Sequence, residues 1–217
     1  MRFADAVARL ASLPPELPAG PEALIPVLRD GDGTRLRTML PDAAARAAAV
    51  LVVIFPDEDG EARILLTERV DRGGHHSGEV SFPGGRAEPD DDDLVATALR
   101  EAHEEVGLDP DAVGVRVVGT FPPHTIPVSG YAVTPVVATA ERRPVLDASP
   151  DEVARILVPR IDAFLPGGEL MHVERDVRGF PLRYAAYPID GLAVWGMTAR
   201  ILGGIGAILA AVAEDEG

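Results

Sequence analysis

The chain has 217 residues, of which 47% are hydrophobic, and its formal net charge is −15. This length and apolar content suit one domain with a packed core and exclude global disorder. The acidic balance argues against broad nucleic-acid or anionic-membrane binding, and the absence of cysteine excludes disulfides and zinc–thiolate sites.

The first residues predict a short amphipathic helix and no secretion signal. Apolar residues recur there at helical spacing: Phe3, Val7 and Leu10. The pair Pro14-Pro15 ends this pattern. Asp5 and Arg9 interrupt the apolar run, whereas a signal peptide needs roughly 7–15 consecutive apolar residues. The late apolar run at 201–213 is shorter than the ~20 residues of a membrane span. We therefore expect a cytoplasmic protein.

The next part of the chain has the pattern of strands and turns. Residues 49–55 predict a buried strand, 56–61 a turn and 62–69 its hairpin partner. A Gly- and His-rich loop follows at 70–78, and a short strand at 79–85 ends in two glycines.

A helix is predicted from Leu94 to Val106. The polar segment 86–93 supplies carboxylates suited to a helix start, and Gly107 supplies the left-handed stop. Apolar residues then follow helical spacing: Leu94, Val95, Ala98, Leu99, Ala102 and Val106.

The remaining elements complete a mixed pattern. We predict strands at 113–121 and 131–140 around a loop at 122–130, a helix start at 149–156, two strands within 170–189 and a helix at 196–216. We expect a single α/β domain over 1–217, with an N-terminal extension at 1–48, a core at 49–190 and a C-terminal helical segment at 191–217.

Three carboxylates stand close together on the central helix. With 3.6 residues per turn, Glu101 and Glu105 lie one above the other, with Glu104 beside them and the apolar stripe opposite. Like charges at this spacing repel, unless hard cations such as Mg²⁺ use the oxygens as ligands. When the helix is considered alone, a solvated face that binds no metal is the alternative interpretation of these glutamates. The preceding Gly84-Gly85 favours a metal–phosphate cradle, because glycine lets a ligand approach the backbone closely.

These residues resemble the Nudix box, G-x5-E-x7-R-E-U-x-E-E-x-G-U, where U is apolar. The second half agrees at every defined position: Arg100, Glu101, Ala102, Glu104, Glu105, Gly107 and Leu108. In the first half, fourteen residues separate Gly85 from Arg100 where the pattern has thirteen. Asp91 or Asp92 must therefore replace the first glutamate, and both alternatives stay open. Asp90–Asp93 also suit a merely solvated helix start.

The resemblance implies a Nudix-type α/β/α sandwich with a mixed sheet and a terminal helix. It also implies hydrolysis of a nucleoside diphosphate joined to another group, with Mg²⁺ or Mn²⁺. The resemblance assigns metal binding to Glu101, Glu104 and Glu105, and it implies that Arg100 orients the glutamates by ion pairing. The expected catalytic residues are Glu105, Glu104 and Arg100, with Glu105 near the attacking water or a base supplied by another loop.

Further segments resemble the coenzyme A pyrophosphatase branch of the family. They are "LLTER" (65–69), "GEVSFPGG" (78–85), "VSGYAVTPVV" (128–137), "PDEVARI" (150–156) and "VWGMTARIL" (194–202). The branch pattern is L-L-T-x-R-[SA]-x3-R-x3-G-x3-F-P-G-G. In this chain Val70 stands at the small-residue position and Gly74 at the position of the second Arg. Arg72, two positions earlier, is a candidate substitute for that Arg. We expect substrate binding by Arg69, Arg72, Gly84, Gly85 and Arg86.

The resemblance implies that coenzyme A or a derivative is cleaved to phosphopantetheine and adenosine 3′,5′-bisphosphate. Because Gly74 replaces an arginine, ADP-ribose, dinucleotides and oxidised nucleotides are alternative substrates. A nucleotide-sensing domain without catalysis is a further alternative.

Other conspicuous residues have two interpretations each. His75 and His76 are exposed or line the substrate's edge, and His124 is exposed or reaches a pyrophosphate. Trp195 is a core residue or an interface anchor. The glycines of the terminal helix, Gly203, Gly204 and Gly206, permit close packing or loosen the helix. A homodimer through this apolar helix is possible, and internal packing explains it equally well.

Overall fold

The computed structural model of the chain describes residues 1–29, 45–71, 79–126, 130–177 and 179–211. Its helices are α1 (Phe3–Leu10), α2 (Leu94–Val106), α3 (Pro110–Val113) and α4 (Gly196–Ala210), with single 3-10 turns at Glu22–Leu24 and Ile161–Phe164. Its strands are β1 (Val27–Leu28), β2 (Arg46–Pro56), β3 (Ala62–Ile64), β4 (Leu66–Arg69), β5 (Val80–Ser81), β6 (Gly84–Arg86), β7 (Val115–Thr120), β8 (His124–Ile126), β9 (Tyr131–Ala140), β10 (Val153–Leu157), β11 (Met171–Val177), β12 (Phe180–Ile189) and β13 (Leu192–Val194). Within these ranges, no helix combines the length and apolar character that crossing a membrane requires.

The largest sheet is mixed and is built around β2. Strand β2 pairs in parallel with β9, from Arg46 opposite Tyr131 to Ile54 opposite Thr139. Strands β6 and β3 pair antiparallel with the two ends of β2, and β7 and β8 pair antiparallel with β9. The near-continuous apolar run of β2 is typical of a strand covered on both faces.

Helices cover both faces of this sheet. Alternate residues of β2, such as Leu51 and Val53, pack against α2, whereas Val52 and Ile54 pack in the cluster that contains α1 and α4. This period of two places one set on each side of the strand. The arrangement confirms the predicted α/β/α sandwich.

Two smaller sheets flank the mixed one. Strand β4 lies between β10 and β5 and carries Arg69 at its end. Strand β12 lies between β1 and β11, and its C-terminal end also pairs with β13. Strands β11 and β12 are the two strands predicted within 170–189.

Several predicted elements differ from the structure. The strand predicted at 62–69 divides into β3, which pairs with β2, and β4, which joins a different sheet. The strand at 79–85 likewise divides into β5 and β6. Helix α1 ends at Leu10, ahead of the prolines, and the predicted loop at 122–130 contains β8.

The helix predicted at 149–156 is wrong. The Ser149 carbonyl accepts the backbone N–H groups of Glu152 and Val153, so the capping signal produces one turn only. Strand β10 follows, with Val153 and Leu157 buried at its two ends and a register shift between them. Because β10 pairs with β4, the Val153 and Leu157 side chains are buried in the core. An isolated helix at this position would lack such burial.

The glycines of α4 permit close internal packing. A Cβ atom at Gly206 would overlap the carbonyl oxygen of Phe164, and one at Gly204 would lie 2.6 Å from Leu17 Cγ. The apolar surface of α4 is therefore used inside the chain, and the homodimer stays a prediction without this support. The predicted divisions at residues 48 and 190 also stay predictions, although α1 already packs into the same core as α4.

Candidate active site

The double glycine lies on β6, directly under helix α2. Gly84 and Gly85 pair with Val50 and Ala49 of β2. A Cβ atom on Gly84 would overlap the Ala49 carbonyl oxygen, and one on Gly85 would lie 2.5 Å from the carboxyl carbon of Glu101. Glycine is therefore required twice, once for strand packing and once to leave space for a carboxylate.

Helix α2 begins and ends as the sequence predicts. The Asp93 side chain accepts the Ala96 N–H at 2.8 Å, and Gly107 ends the helix with φ of 67°. Asp93 thus caps the helix and is not simply a solvated charge.

The three glutamates of α2 have different environments. The side chain of Glu105 is 2% exposed, that of Glu101 is 14% exposed and that of Glu104 is 55% exposed. The helix therefore does not present them as one solvated face, because Glu105 lies on its buried side.

Glu105 is held between two donors at the edge of the sheet. Its Oε1 atom lies 3.4 Å from Arg69 Nη1, and its Oε2 atom accepts the Gly84 N–H at 3.3 Å. Burial raises the pKa of Glu105 to about 7, although the charge of Arg69 opposes this rise. Arg69 therefore contacts a carboxylate of the candidate site.

Arg100 connects the acidic loop to the helix. Its Nε and Nη2 atoms donate to the Asp91 carboxylate at 2.8 and 3.1 Å, and its Nη1 atom donates to Glu101 at 3.1 Å and Glu104 at 2.9 Å. Its Nη2 atom also donates to the Arg86 carbonyl at 3.1 Å. One guanidinium thereby forms ion pairs with two of the three glutamates.

Asp91, and not Asp92, faces Arg100. Its carboxylate also accepts the Thr97 hydroxyl and the Glu88 N–H, each at 2.8 Å. The hydrogen bond from Arg100 holds the pKa of Asp91 well below its usual range and raises that of Arg100. Thr97 is fully buried, and no local sequence pattern indicates its contribution.

Glu152 is an acidic neighbour of Glu101 and Glu105 and was not among the predicted site residues. Its negative charge raises the pKa values of both Glu101 and Glu105, although burial is the larger cause in each case. The backbone fixes this position, because Val70 N–H donates to the Glu152 carbonyl and Ser149 N–H donates to the Glu105 carbonyl. Its place in "PDEVARI", a segment that resembles the family, was the available signal.

The other predicted residues are dispersed. Arg86 has a side chain that is 64% exposed and lies 3.5 Å from Glu88. Arg72, Gly74, His75, His76 and Gly78 lie outside the described residues. Trp195 stacks on Tyr184 with a ring distance of 4.7 Å, which favours its interpretation as a packing residue.

The donor chemistry of the site fits a divalent ion. Glu101 and Glu105 offer only oxygen atoms, and burial raises both pKa values, so a cation would stabilise their charged forms. Across the described ranges, no three acidic or histidine side chains are close enough to hold one ion, and Glu104 pairs with Arg100. Mg²⁺ usually takes one or two carboxylates together with substrate phosphates, which Glu101 and Glu105 satisfy. The three-glutamate set stays a prediction.

The chain is similar to several known proteins of one family. The NUDIX domain profile matches residues 45–174. Nudix hydrolase 15, mitochondrial, of Arabidopsis thaliana is 34% identical over 187 residues, which cover 83% of this chain and 61% of that protein. The uncharacterized Nudix hydrolase NudL of Citrobacter koseri is 38% identical over 157 residues, which cover 72% of this chain and 79% of that protein.

Among solved structures, this chain is similar to the Nudix hydrolase RenU of M. smegmatis, with a TM-score of 0.47 and 23% sequence identity. The similarity covers 63% of this chain and 80% of RenU. The chain spans about three fifths of the plant relative's length. The profile match and the bacterial relatives show that the chain belongs to the Nudix family, whose hydrolases act on pyrophosphate bonds.

Proposed function

We propose that the chain is a divalent-metal-dependent pyrophosphohydrolase that cleaves the diphosphate of coenzyme A or its derivatives. The observation that carries this proposal is the position of Glu105, buried beside Glu101 and held by Arg69 and the Gly84 N–H. A buried carboxylate with its neighbours fixed in place is costly unless a ligand uses its charge.

The residues of the candidate site have different roles. Glu101 and Glu105 would hold Mg²⁺ or Mn²⁺, which supplies neutralisation of the diphosphate charge and activation of water. Arg100 keeps the Glu101 carboxylate in place through the ion pair at 3.1 Å. Gly85 leaves the space that this carboxylate occupies. Water attacks phosphorus, the P–O anhydride bond breaks, and the departing phosphate oxygen retains the bonding electrons.

The proton of the attacking water has two candidate acceptors. Glu105 lies at the cradle itself, and Glu152 lies on the loop before β10, close enough for its charge to act on Glu105. We assign the proton to one of these carboxylates. Glu152→Gln distinguishes them, because loss of the base lowers kcat by about 100-fold or more, whereas loss of a neighbouring charge costs about tenfold.

The substrate assignment rests on the chain's resemblance to the coenzyme A branch at segments 65–69 and 78–85. The products would be phosphopantetheine and adenosine 3′,5′-bisphosphate. The arginine that this branch pattern contains is replaced by Gly74, which favours ADP-ribose, dinucleotides or oxidised nucleotides as second candidates.

A hydrolysis assay with coenzyme A, an acyl-coenzyme A, ADP-ribose and NADH tests both proposals. We expect turnover only with Mg²⁺ or Mn²⁺ and the highest kcat/KM for coenzyme A or its acyl form. A higher kcat/KM for ADP-ribose or NADH would reassign the substrate and keep the chemistry. Binding without hydrolysis of any compound would instead indicate a nucleotide-sensing domain.

Two variants test the site itself. We expect Glu101→Gln and Glu105→Gln each to lower kcat by about 100-fold or more, with thermal unfolding close to that of the wild type. Glu58→Gln is the matched control, since Glu58 is 88% exposed and lies on the turn between β2 and β3. Near-normal turnover in either glutamine variant would refute the assignment.

A further inference from the structure

Thr97 is fully buried near the start of α2, where its residue type has a local cost. Threonine is a weaker helix former than alanine, because its branched side chain restricts rotation about χ1. A buried hydroxyl also needs a hydrogen-bond partner. Other buried positions of the same helix hold alanine, at Ala98 and Ala102. The hydroxyl of Thr97 is therefore the feature of this position that requires an explanation.

The Thr97 hydroxyl has two acceptors within reach. Its Oγ1 atom lies 2.8 Å from Asp91 Oδ2 and 3.2 Å from the Asp93 carbonyl oxygen. The second contact is the usual bond of a helical threonine to the carbonyl four residues earlier, and it has no connection with the site. One hydroxyl has one proton to donate, so only one acceptor receives it. The shorter distance and the negative charge of Asp91 favour the carboxylate.

The Asp91 carboxylate is held from the loop and from the helix. The loop supplies the Glu88 N–H, and the helix supplies the Thr97 hydroxyl, both to Oδ2. Arg100 then donates from Nε to Oδ1 at 2.8 Å and from Nη2 to Oδ2 at 3.1 Å. A guanidinium forms this paired contact only where the carboxylate plane is correctly oriented. The Thr97 hydroxyl fixes that orientation from the side of the helix.

The shortness of Asp91 explains why this support is needed. The Nudix pattern has a glutamate in this part of the loop, and aspartate is shorter by one methylene group. The segment between Gly85 and Arg100 is also one residue longer than in the pattern. A shorter side chain on a longer segment reaches Arg100 where the loop is held close to α2. The hydrogen bond from Thr97 to Asp91 makes this connection.

The position of Arg100 in turn affects Glu101. Arg100 Nη1 donates to Glu101 Oε1 at 3.1 Å, and the Glu101 carboxylate lies against Gly85. With 3.6 residues per turn, Thr97, Arg100 and Glu101 are neighbours on one side of α2. The influence of Thr97 on Glu101 therefore runs through Asp91 and Arg100.

We propose that Thr97 is a positioning residue of the hydrolase, which orients the Asp91 carboxylate and thereby the Arg100 guanidinium that holds Glu101. This inference rests on the proposed function, because it assumes that the position of Glu101 matters for turnover. It gives a buried, uncharged residue that touches neither Glu101 nor the diphosphate a measurable effect on kcat.

Kinetics of Thr97→Val and Thr97→Ser test the proposal, with the diphosphate substrate that the wild type hydrolyses at the highest kcat/KM. Valine keeps the shape of threonine without the hydroxyl, whereas serine keeps the hydroxyl. We expect Thr97→Val to lower kcat about tenfold with KM changed less than about twofold, and Thr97→Ser to restore kcat to within about twofold of the wild type. Wild-type kcat in Thr97→Val, or an equal loss in Thr97→Ser, would refute the proposal.

Two further single variants serve as control and reserve. Thr125→Val is the matched control, since Thr125 is a buried threonine of β8 whose hydroxyl has no partner within the described part of the chain, and its kcat should be unchanged. Thr97→Ala replaces Thr97→Val if the latter does not fold. Alanine improves helix propensity, so a tenfold loss of kcat in this variant would not come from a weaker helix.

A double variant separates positioning from a role in packing. If Thr97 acts through Asp91, its hydroxyl has no effect on the site once the carboxylate is removed. We therefore expect Asp91→Ala to lower kcat about tenfold, and the addition of Thr97→Val to lower it by less than a further twofold or so. A further tenfold loss in the double variant would show that Thr97 acts independently of Asp91 and would overturn the proposal.

The Nε–H resonance of Arg100 gives a measurement that does not depend on turnover. It reports the hydrogen bond to Asp91 Oδ1 in ¹H–¹⁵N spectra and is assigned by its loss in Arg100→Lys. We expect Thr97→Val to shift this resonance and to speed its exchange with water about tenfold, with Thr125→Val unchanged. An unaltered resonance in Thr97→Val refutes the role of Thr97 alone. Absence of hydrolysis by the wild type would instead refute the proposed function, together with the positioning role that rests on it.

Discussion

Helices α2 and α4 lie on opposite faces of the same mixed sheet, and glycines allow a close approach at each. At α4 the glycines belong to the helix itself and meet backbone atoms, as Gly206 meets the Phe164 carbonyl. At α2 the glycine belongs to the facing strand, where Gly85 meets the carboxylate of Glu101.

The two faces differ in what the close approach achieves. On the α4 face, Gly206 packs against the Phe164 backbone, and the helix is buried along most of its length. On the α2 face, the space left by Gly85 holds an ionisable group beside a buried Glu105. The same residue type thus serves stability on one face and the arrangement of charge on the other.

Of the substitutions that test this difference between the two faces, Gly206→Ala is expected to have the largest effect. The new methyl group would overlap the Phe164 carbonyl oxygen, and backbone atoms cannot move aside cheaply. We expect the free energy of unfolding in urea to fall by about 3 kcal/mol, with kcat of the remaining folded protein unchanged.

Gly203→Ala is the control on the same helix. Its nearest atoms would be Pro21 Cδ at 3.0 Å, and Gly20 Cα and Tyr187 Oη at 3.1 Å, so the crowding is milder than the overlap at Gly206. The gain of ~1 kcal/mol in helix propensity offsets most of that crowding, so a change below about 1 kcal/mol is expected. Equal destabilisation by both substitutions would contradict the backbone explanation.

A smaller effect, on activity rather than stability, is expected from Gly85→Ala. The methyl group would lie 2.5 Å from the Glu101 carboxyl carbon, and a flexible side chain can rotate away. We expect kcat to fall about tenfold, because the displaced carboxylate no longer occupies its position, while the free energy of unfolding changes by less than about 1 kcal/mol. Steady-state kinetics and urea unfolding of the same preparation measure both.

Gly84→Ala separates the two roles within one pair of residues. Its methyl group would overlap the Ala49 carbonyl and lie 2.7 Å from Val50 Cα, so stability should fall together with activity. An unchanged kcat in Gly85→Ala would show that the position of Glu101 is unimportant for turnover.

Much of this arrangement follows from local patterns in the sequence. The period of 3.6 residues over 94–106, the Asp93 cap and the stop at Gly107 define α2, and the apolar run at 49–55 defines the centre of the sheet. These features depend on residues that are neighbours in the sequence, so the local pattern is sufficient to predict them.

Features that depend on distant contacts were not predictable in the same way. Strand β10 forms because β4 is available as its partner, which overrides the capping signal at Ser149. The burial of Glu105 depends on where α2 docks, and the choice of Asp91 over Asp92 depends on the direction of one loop. The influence of Glu152 on the cradle depends on a turn that is 47 residues away in sequence from Glu105.

The smallest effect is expected from Asp91→Asn, which tests how the charge of the α2 face is organised. The hydrogen bond from Arg100 holds the pKa of Asp91 below its ordinary value of 3.8, so the folded state favours the ionised carboxylate. A depressed pKa contributes stability that is fully present above the ordinary value and is lost as the pH falls towards the folded one. The wild type should therefore be more stable than Asp91→Asn at pH 7 and 5, and this difference should shrink progressively at pH 4 and 3. Asp92→Asn is the matched control, and urea unfolding at each pH measures the three proteins. A difference that is independent of pH, or an equal loss in Asp92→Asn, would show that the ion pair with Arg100 does not stabilise the fold.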